Sequence, residues 1–146
     1  MATKQNQIIF LDGKEIALKA LLSETFGYLA IGYSEVNDGF QNPDTDTGPT
    51  GFNEISVTKD DPTYERIPLV PYGKTVKDTS NGKVLCKFTA DLDIENIQRH
   101  IPINQFAIVN TSTPNDVNTK IYAASTFTEF KKDNSIAITF VIGLRL

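Results

Sequence analysis

Residues 121–146 read IYAASTFTEFKKDNSIAITFVIGLRL, and this stretch decides the fold class. Two apolar runs flank a polar turn around residues 131–135. From residue 136 onward, large apolar residues alternate strictly with smaller or polar ones; the apolar members are Ile136, Ile138, Phe140, Ile142, Leu144 and Leu146. Successive side chains of a strand point to opposite faces, so the pattern predicts a strand with one buried face. We therefore expect a closing hairpin at 121–146, with the chain ending inside its core sheet.

Turn signals separate several other short apolar segments along the chain. GYLAIG at 27–32 predicts a core strand, and Asn81-Gly82 is the strongest signal for a two-residue hairpin turn. The following segment, 83–91, alternates and places four residues on one face: Val84, Cys86, Phe88 and Ala90. Three more strands are predicted at 54–58, 66–70 and 104–110. Together they predict an all-β, single-domain β-sandwich, jelly-roll-like, with about seven to eight short strands spanning residues 1–146.

For two segments the apolar pattern does not determine the secondary structure. At 7–22, QIIFLDGKEIALKALL fits either a hairpin turning at Asp12-Gly13 or a helix, because its later apolar residues suit both periods. At 94–101 the sequence is compatible with a short helical turn.

Composition excludes several functional classes. The net charge is -4, from 14 basic and 18 acidic residues, and the basic ones are scattered, which argues against nucleic-acid binding.

Cys86 is the single cysteine, so no internal disulfide forms, and its alternation with Val84 and Phe88 predicts a buried core residue. No apolar run approaches the ~20 residues of a membrane span. No secretory signal is visible at the start. We expect a soluble protein, with no membrane partner, made in a reducing compartment.

The inventory of catalytic and metal-binding patterns is nearly empty. DTDTG at 44–48 superficially resembles a calcium loop, but the sixth and twelfth positions hold Pro49 and Ile55 instead of glycine and an acidic residue. His100 is the single histidine, so no nucleophile–base set can be assembled from spacing. We predict a non-enzymatic protein with no catalytic residues, no metal site and no cofactor.

Two polar segments stand out as long loops, at 34–53 and 111–119. The first is rich in Gly, Pro, Asn, Asp and Thr, and loops of that length in compact domains are usually functional or disordered. We expect both loops to contact partners. The residues predicted to do so are Asn37, Asp38, Phe40, Asn42, Asp44, Asp46, Phe52, Thr113, Asn115 and Asp116.

The order of segments over residues 16–146 resembles a family of small β-rich bacteriophage virion proteins. The resemblance begins at GYLAIG, 27–32, and continues with an acidic residue and a later arginine in Asn53-Glu54 and YERIP, 64–68. KFTA at 87–90 and NQFAIVN at 104–110 follow the outline of the next two strands. Residues 122–132 and 135–146 resemble the end of the family sequence.

The resemblance implies a structural component of a tailed bacteriophage particle: neck, tail, baseplate, fibre or capsid (head) decoration. Such a component would act through oligomeric contacts with its own copies and with other virion proteins. It would be assembled in the bacterial host cytoplasm and end in the virion. The alternative is a carbohydrate- or receptor-binding β module that contacts a host glycan through Phe40, Phe52, Tyr64 and Tyr72. A small hydrolase is the third hypothesis, disfavoured by the missing nucleophile–base set.

Overall fold

A computed structural model describes residues 8–35, 52–55 and 64–146 of the chain. Helix α1 spans Leu11–Ala20 and runs directly into a π-helical turn at Leu21–Thr25. Eight strands lie within the described ranges: β1 (Tyr28–Gly32), β2 (Ile67–Pro68), β3 (Val70–Pro71), β4 (Val76–Asp78), β5 (Lys83–Leu92), β6 (Ile101–Val109), β7 (Ile121–Lys132) and β8 (Ile138–Arg145). The all-β prediction is therefore confirmed.

The strands form two antiparallel sheets that pack together as a sandwich. Sheet I has the order β2-β1-β6-β7. Sheet II is built around β5, which pairs with β8 along one edge. On its other edge β5 pairs with the short strands β3 and β4, because Thr89 lies between Val70 and Val141, and Leu85 lies between Val76 and Arg145.

The core lies between the sheets and is closed by the helical segment. On β5 the four residues predicted to share the inner face are each at most 2% exposed: Val84, Cys86, Phe88 and Ala90. Leu29 and Ile31 of β1 meet them from sheet I, and Leu18 and Leu22 of the helical segment join the same cluster. This confirms the predicted face of β5 and the buried position of Cys86.

The structure also tests the predictions made for segments 7–22 and 94–101. Residues 11–25 are helical, so Asp12-Gly13 lies in the first helical turn instead of a hairpin. Of the short helical turn that was compatible with 94–101, only a single turn at 94–96 forms, in which the N–H of Asn96 donates to Asp93 O at 3.1 Å, and Ile101 already begins β6.

The Asn81-Gly82 hairpin is present, but its connection has four residues, 79–82, between β4 and β5. The Asp78 carboxylate accepts hydrogen bonds from the backbone N–H of Ser80 (3.1 Å) and of Asn81 (3.2 Å). Gly82 takes a left-handed φ of +64°, which favours glycine there. The side-chain bonds of Asp78 stabilise the longer turn.

The predicted closing hairpin is wrong, although its strands are real. β7 pairs with β6 in sheet I, whereas β8 pairs with β5 in sheet II. Residues 133–137 therefore connect the two sheets. Alternation determines which face of a strand is buried but carries no information about its partner, and five residues are enough to cross the ~10 Å between packed sheets.

The predicted inner face of β8 is largely confirmed. Ile142 is buried, and three neighbours on the same face are half-buried against the core: Ile138, Phe140 and Leu144. Val141 on the other face is 58% exposed. Ile136 and Leu146, which were expected on the core face, are instead exposed because they lie beyond the two ends of β8.

Candidate functional site

The predicted partner-contacting residues of the first loop mostly lie outside the described residues. These are Asn37, Asp38, Phe40, Asn42, Asp44 and Asp46. Phe52, at the end of that loop, is half-buried and packs on the outer side of sheet I against a small buried cluster of Ala30, Ala107 and Val109. It therefore contributes packing to sheet I.

The second predicted contact segment, residues 111–119, connects β6 to β7 and is called here the 111–119 loop. Thr113 and Asn115 are exposed, and Asn115 takes a left-handed φ of 58°. Half-buried Asp116 accepts a hydrogen bond from the backbone N–H of Asn118 at 2.8 Å. Between them in the chain, Val117 is 96% exposed. The loop thus has a defined backbone and presents an apolar side chain to solvent.

A buried ion pair lies directly beneath this loop. The Nε and Nη2 atoms of Arg66 donate to the two carboxylate oxygens of Glu54 at 2.8 and 2.6 Å, a bidentate arrangement. The two side chains are only 2% and 7% exposed. A charge pair removed from water in this way is held only by good geometry and further hydrogen bonds.

Those further hydrogen bonds come from the 111–119 loop. Nη1 of Arg66 donates to the backbone carbonyl of Thr111 at 3.1 Å and to Oγ1 of Thr119 at 2.9 Å. The backbone N–H of Asn115 donates to Glu54 Oε1 at 2.9 Å. Both ends of the loop and its middle are therefore attached to the ion pair.

Tyr64 completes the network from the core side. Its hydroxyl accepts a hydrogen bond from the backbone N–H of Ile31 (3.1 Å) and donates to Glu54 Oε2 (3.3 Å). The side chain is 1% exposed, and this burial, reinforced by the nearby Glu54 charge, raises the pKa of Tyr64 well above its ordinary value. The expectation that Tyr64 contacts a glycan is therefore wrong, because its ring is inside the protein.

Strand β1 positions Glu54 through a close backbone approach. Asn53 O accepts a hydrogen bond from the N–H of Tyr33 at 2.9 Å, and the N–H of Ile55 donates to Ile31 O at 3.0 Å. A side chain at position 32 would not fit here, since a Cβ on Gly32 would lie 2.3 Å from the carbonyl oxygen of Asn53. Gly32 therefore allows residues 52–55 to lie against β1.

The arrangement is suited to anchoring and not to acid–base chemistry. Described residues donate four hydrogen bonds to the Glu54 carboxylate: two from Arg66, one from Tyr64 and one from Asn115. A carboxylate with all its acceptor directions occupied and almost no solvent contact has no room for a substrate. We regard the 111–119 loop, with the Glu54–Arg66 pair that holds it, as the candidate interaction site.

Sequence reasoning noted Glu54 and Arg66 only as positions in the virion-protein resemblance and did not pair them. The available signal was an acidic residue and an arginine of opposite charge flanking the core aromatic Tyr64. Within the described ranges, no cluster of three or more His, Cys, Asp or Glu side chains is placed to hold a metal ion.

Comparisons with protein-family models, curated proteins and solved structures find no match to this chain. Neither helical segment in the described ranges has the length and apolar character needed to cross a membrane.

Proposed function

We propose that this protein is a non-enzymatic structural component of a tailed bacteriophage particle, in the neck, tail, baseplate, fibre or head decoration. It acts through contacts with its own copies and with other virion proteins. The observation that carries the proposal is the buried Glu54–Arg66 pair that anchors the 111–119 loop. Glu54 and Arg66 stand at the positions where the virion-protein resemblance expects an acidic residue and a later arginine.

An anchored loop is well suited to assembly. Binding usually costs free energy because loops and side chains must be ordered at the interface, and a loop already held by hydrogen bonds has less to lose. Val117 projects from this loop almost fully exposed, and burying a valine side chain contributes about 1.5–3 kcal/mol. In a symmetric ring or fibre, the same contact is repeated in every copy.

Particle fractionation tests the assignment. Phage particles from a lysate of the natural host would be banded by density and analysed by quantitative mass spectrometry. We expect the chain to band with the major capsid and tail proteins at a fixed copy number. Recovery in the soluble fraction alone, with none in the particle band, would contradict the proposal.

A matched pair of variants tests the loop. Val117→Asp places a charge at the loop tip, and Ile16→Asp places the same charge on α1, at another largely exposed apolar residue (69% exposed). We expect Val117→Asp to reduce incorporation into particles at least tenfold and Ile16→Asp to leave it unchanged. Equal incorporation of the two variants would exclude the loop tip as an assembly contact.

A carbohydrate- or receptor-binding module is the second candidate function, and one exposed aromatic residue supports it. Tyr72 is 53% exposed beside sheet II, as a ring that stacks on a sugar must be. Glycan-array binding by the wild type that is lost in Tyr72→Ala would favour this function. Binding to no glycan, together with presence in particles, favours the structural one.

A further inference from the structure

The outward side of sheet II carries several large apolar side chains that are more than half exposed. Val70, Tyr72, Val76 and Val141 are 54%, 53%, 51% and 58% exposed. The register places Val70 and Val141 on either side of Thr89, and Val76 beside Leu85, so they share one face. We call this surface the sheet II outer face: Val70, Tyr72, Val76, Leu85, Lys87, Thr89, Val141 and Gly143.

This face has a negative end. Asp91 continues the outward side of β5 beyond Thr89 and is exposed. A shallow pocket beside it is lined in part by Glu65, Val70, Asp91 and Asp93. Thr139 donates a hydrogen bond to one carboxylate oxygen of Asp91 at 2.7 Å. Glu65, Asp91 and Asp93 are all exposed, and their carboxylates make this end of the face negative.

The opposite end of the face is positive. A second depression is lined by Val76, Asp78, Lys83, Leu85 and Arg145. The carboxylate of Asp78 accepts three hydrogen bonds from Asn81 and Ser80, which together with a smaller attraction from the Arg145 charge lower the pKa of Asp78. Asp78 therefore offsets part of the positive charge at this end, and its hydrogen bonds keep it within its own turn. Lys83 and Arg145 are both exposed. The apolar strip therefore lies between an acidic and a basic end.

We propose that the sheet II outer face binds the same face of a second copy of this chain, with the two β5 strands antiparallel. The two-fold axis lies between the two packed faces, perpendicular to β5, and passes over β5 at the level of Lys87 and Thr89. This symmetry brings Arg145 of each copy to the Asp91–Thr139 pair of the other. A parallel arrangement would place acid on acid and base on base. The inference assigns a self-contact to a defined surface and does not rest on the proposed function, because it concerns the isolated protein in solution.

The surface chemistry suits this packing. Sheets stack face to face about 10 Å apart, with interdigitating apolar side chains. Gly143, which pairs with Lys87 at the middle of the face, is covered by the side chain of Leu85, whose Cδ1 lies 3.2 Å from the place of a Cβ at position 143. The apolar surface therefore continues across the glycine. Lys87 lies near the centre, but its long stem can pack on apolar surface while its charge reaches the acidic end of the other copy. The face is only three strands wide, because β3 and β4 lie along the same edge of β5. We therefore expect weak association, with a midpoint of about 100 µM.

Sedimentation equilibrium on the purified protein tests the proposal, over about 5 µM to 1 mM protein. We expect a reversible monomer–dimer equilibrium. Asp91→Lys and Arg145→Asp should each weaken dimerisation at least tenfold, because each brings like charges together at both symmetric contacts. The double variant exchanges the two charges and should restore dimerisation to within threefold of wild type. Glu24→Lys, at an exposed position of the helical segment, is the control for net charge and should change nothing.

Three outcomes would overturn the proposal: a wild-type monomer at the highest concentration, a dimer unaffected by both single variants, or a double variant no stronger than the singles. Circular dichroism of each variant confirms that it folds, as expected for exposed positions. The result is independent of particle fractionation. A dimer absent from particles contradicts only the proposed function, and a monomer present in particles contradicts only this inference.

Discussion

The candidate site depends on Gly32 having no side chain. At the end of β1 the carbonyl of Asn53 occupies the space where a Cβ would stand, 2.3 Å from that position. This contact is with backbone, which cannot rotate away as a side chain can. The hydrogen bonds of residues 52–55 with β1, and through them the position of Glu54, depend on it.

We expect Gly32→Ala to lower the free energy of unfolding by about 1–3 kcal/mol, as overpacking of a tight contact does. Gly143→Ala is the matched control, because its new Cβ would meet only the flexible end of Leu85, at 3.2 Å. That variant should change stability by less than about 0.5 kcal/mol. Urea denaturation of both variants provides the measurement, and equal losses would refute the backbone clash.

The buried network could not be predicted from residue spacing. Glu54 and Arg66 are twelve positions apart, and they meet only because residues 52–55 lie beside β1 while the 111–119 loop folds over both. Those are tertiary relations. By contrast, the burial of Cys86 followed from simple alternation within one strand.

At the scale of elements, the strands likewise separate local properties, which the sequence predicts, from tertiary ones, which it does not. Alternation predicted the buried faces of β5 and β8, since side-chain direction is a local property of extended backbone. It did not predict that β7 and β8 belong to different sheets, because pairing is decided by the rest of the fold. The sequence also did not determine the conformation of α1, because its apolar residues fit the helical and the strand period equally well. The helix is favoured by tertiary packing, which places Leu18 and Leu22 in the core.

The position of Phe140 on β8 makes a quantitative prediction. Phe140 is half-buried and packs at ring-centroid distances of 5.9–6.3 Å from Phe106, Phe127 and Phe130, whereas Phe88 on β5 is 1% exposed. Phe88→Ala should cost about 3–5 kcal/mol and Phe140→Ala about 1–3 kcal/mol, in proportion to the surface that each buries. Chemical denaturation measures both, and a larger loss at Phe140 would contradict this order.

At the scale of the whole molecule, residues 133–137 are one of the connections that cross between the two sheets. The Asp133 carboxylate accepts hydrogen bonds from the hydroxyl and backbone N–H of Ser135 and lies 3.1 Å from His100 Nδ1, at the entry to β6. The Ser135 bonds, with a smaller contribution from His100, lower the pKa of Asp133 from 3.8 to about 2. The connection between β7 and β8 is therefore stabilised by the ionised carboxylate of Asp133.

A carboxyl group whose pKa is lower in the folded than in the unfolded state stabilises the fold above its unfolded pKa. This contribution is complete above about pH 4 and is lost as the pH falls towards 2. We expect the stability difference between wild type and Asp133→Asn to be constant above pH 4 and to shrink below it. Thermal unfolding from pH 2 to pH 7 tests this, and a pH-independent difference would contradict it.

The crossover between the sheets also has a consequence for the time course of folding. β4 with β5 and β6 with β7 are neighbours along the chain and can pair early, whereas β8 must find β5 and β1 must find β6 across more than forty intervening residues. Closing such long loops is slow, and β proteins dominated by distant contacts fold in milliseconds to seconds. During that interval the nascent edges of β5 and β6 are unprotected. Rapid synthesis at high copy number would therefore make this chain vulnerable to aggregation before β8 is in place.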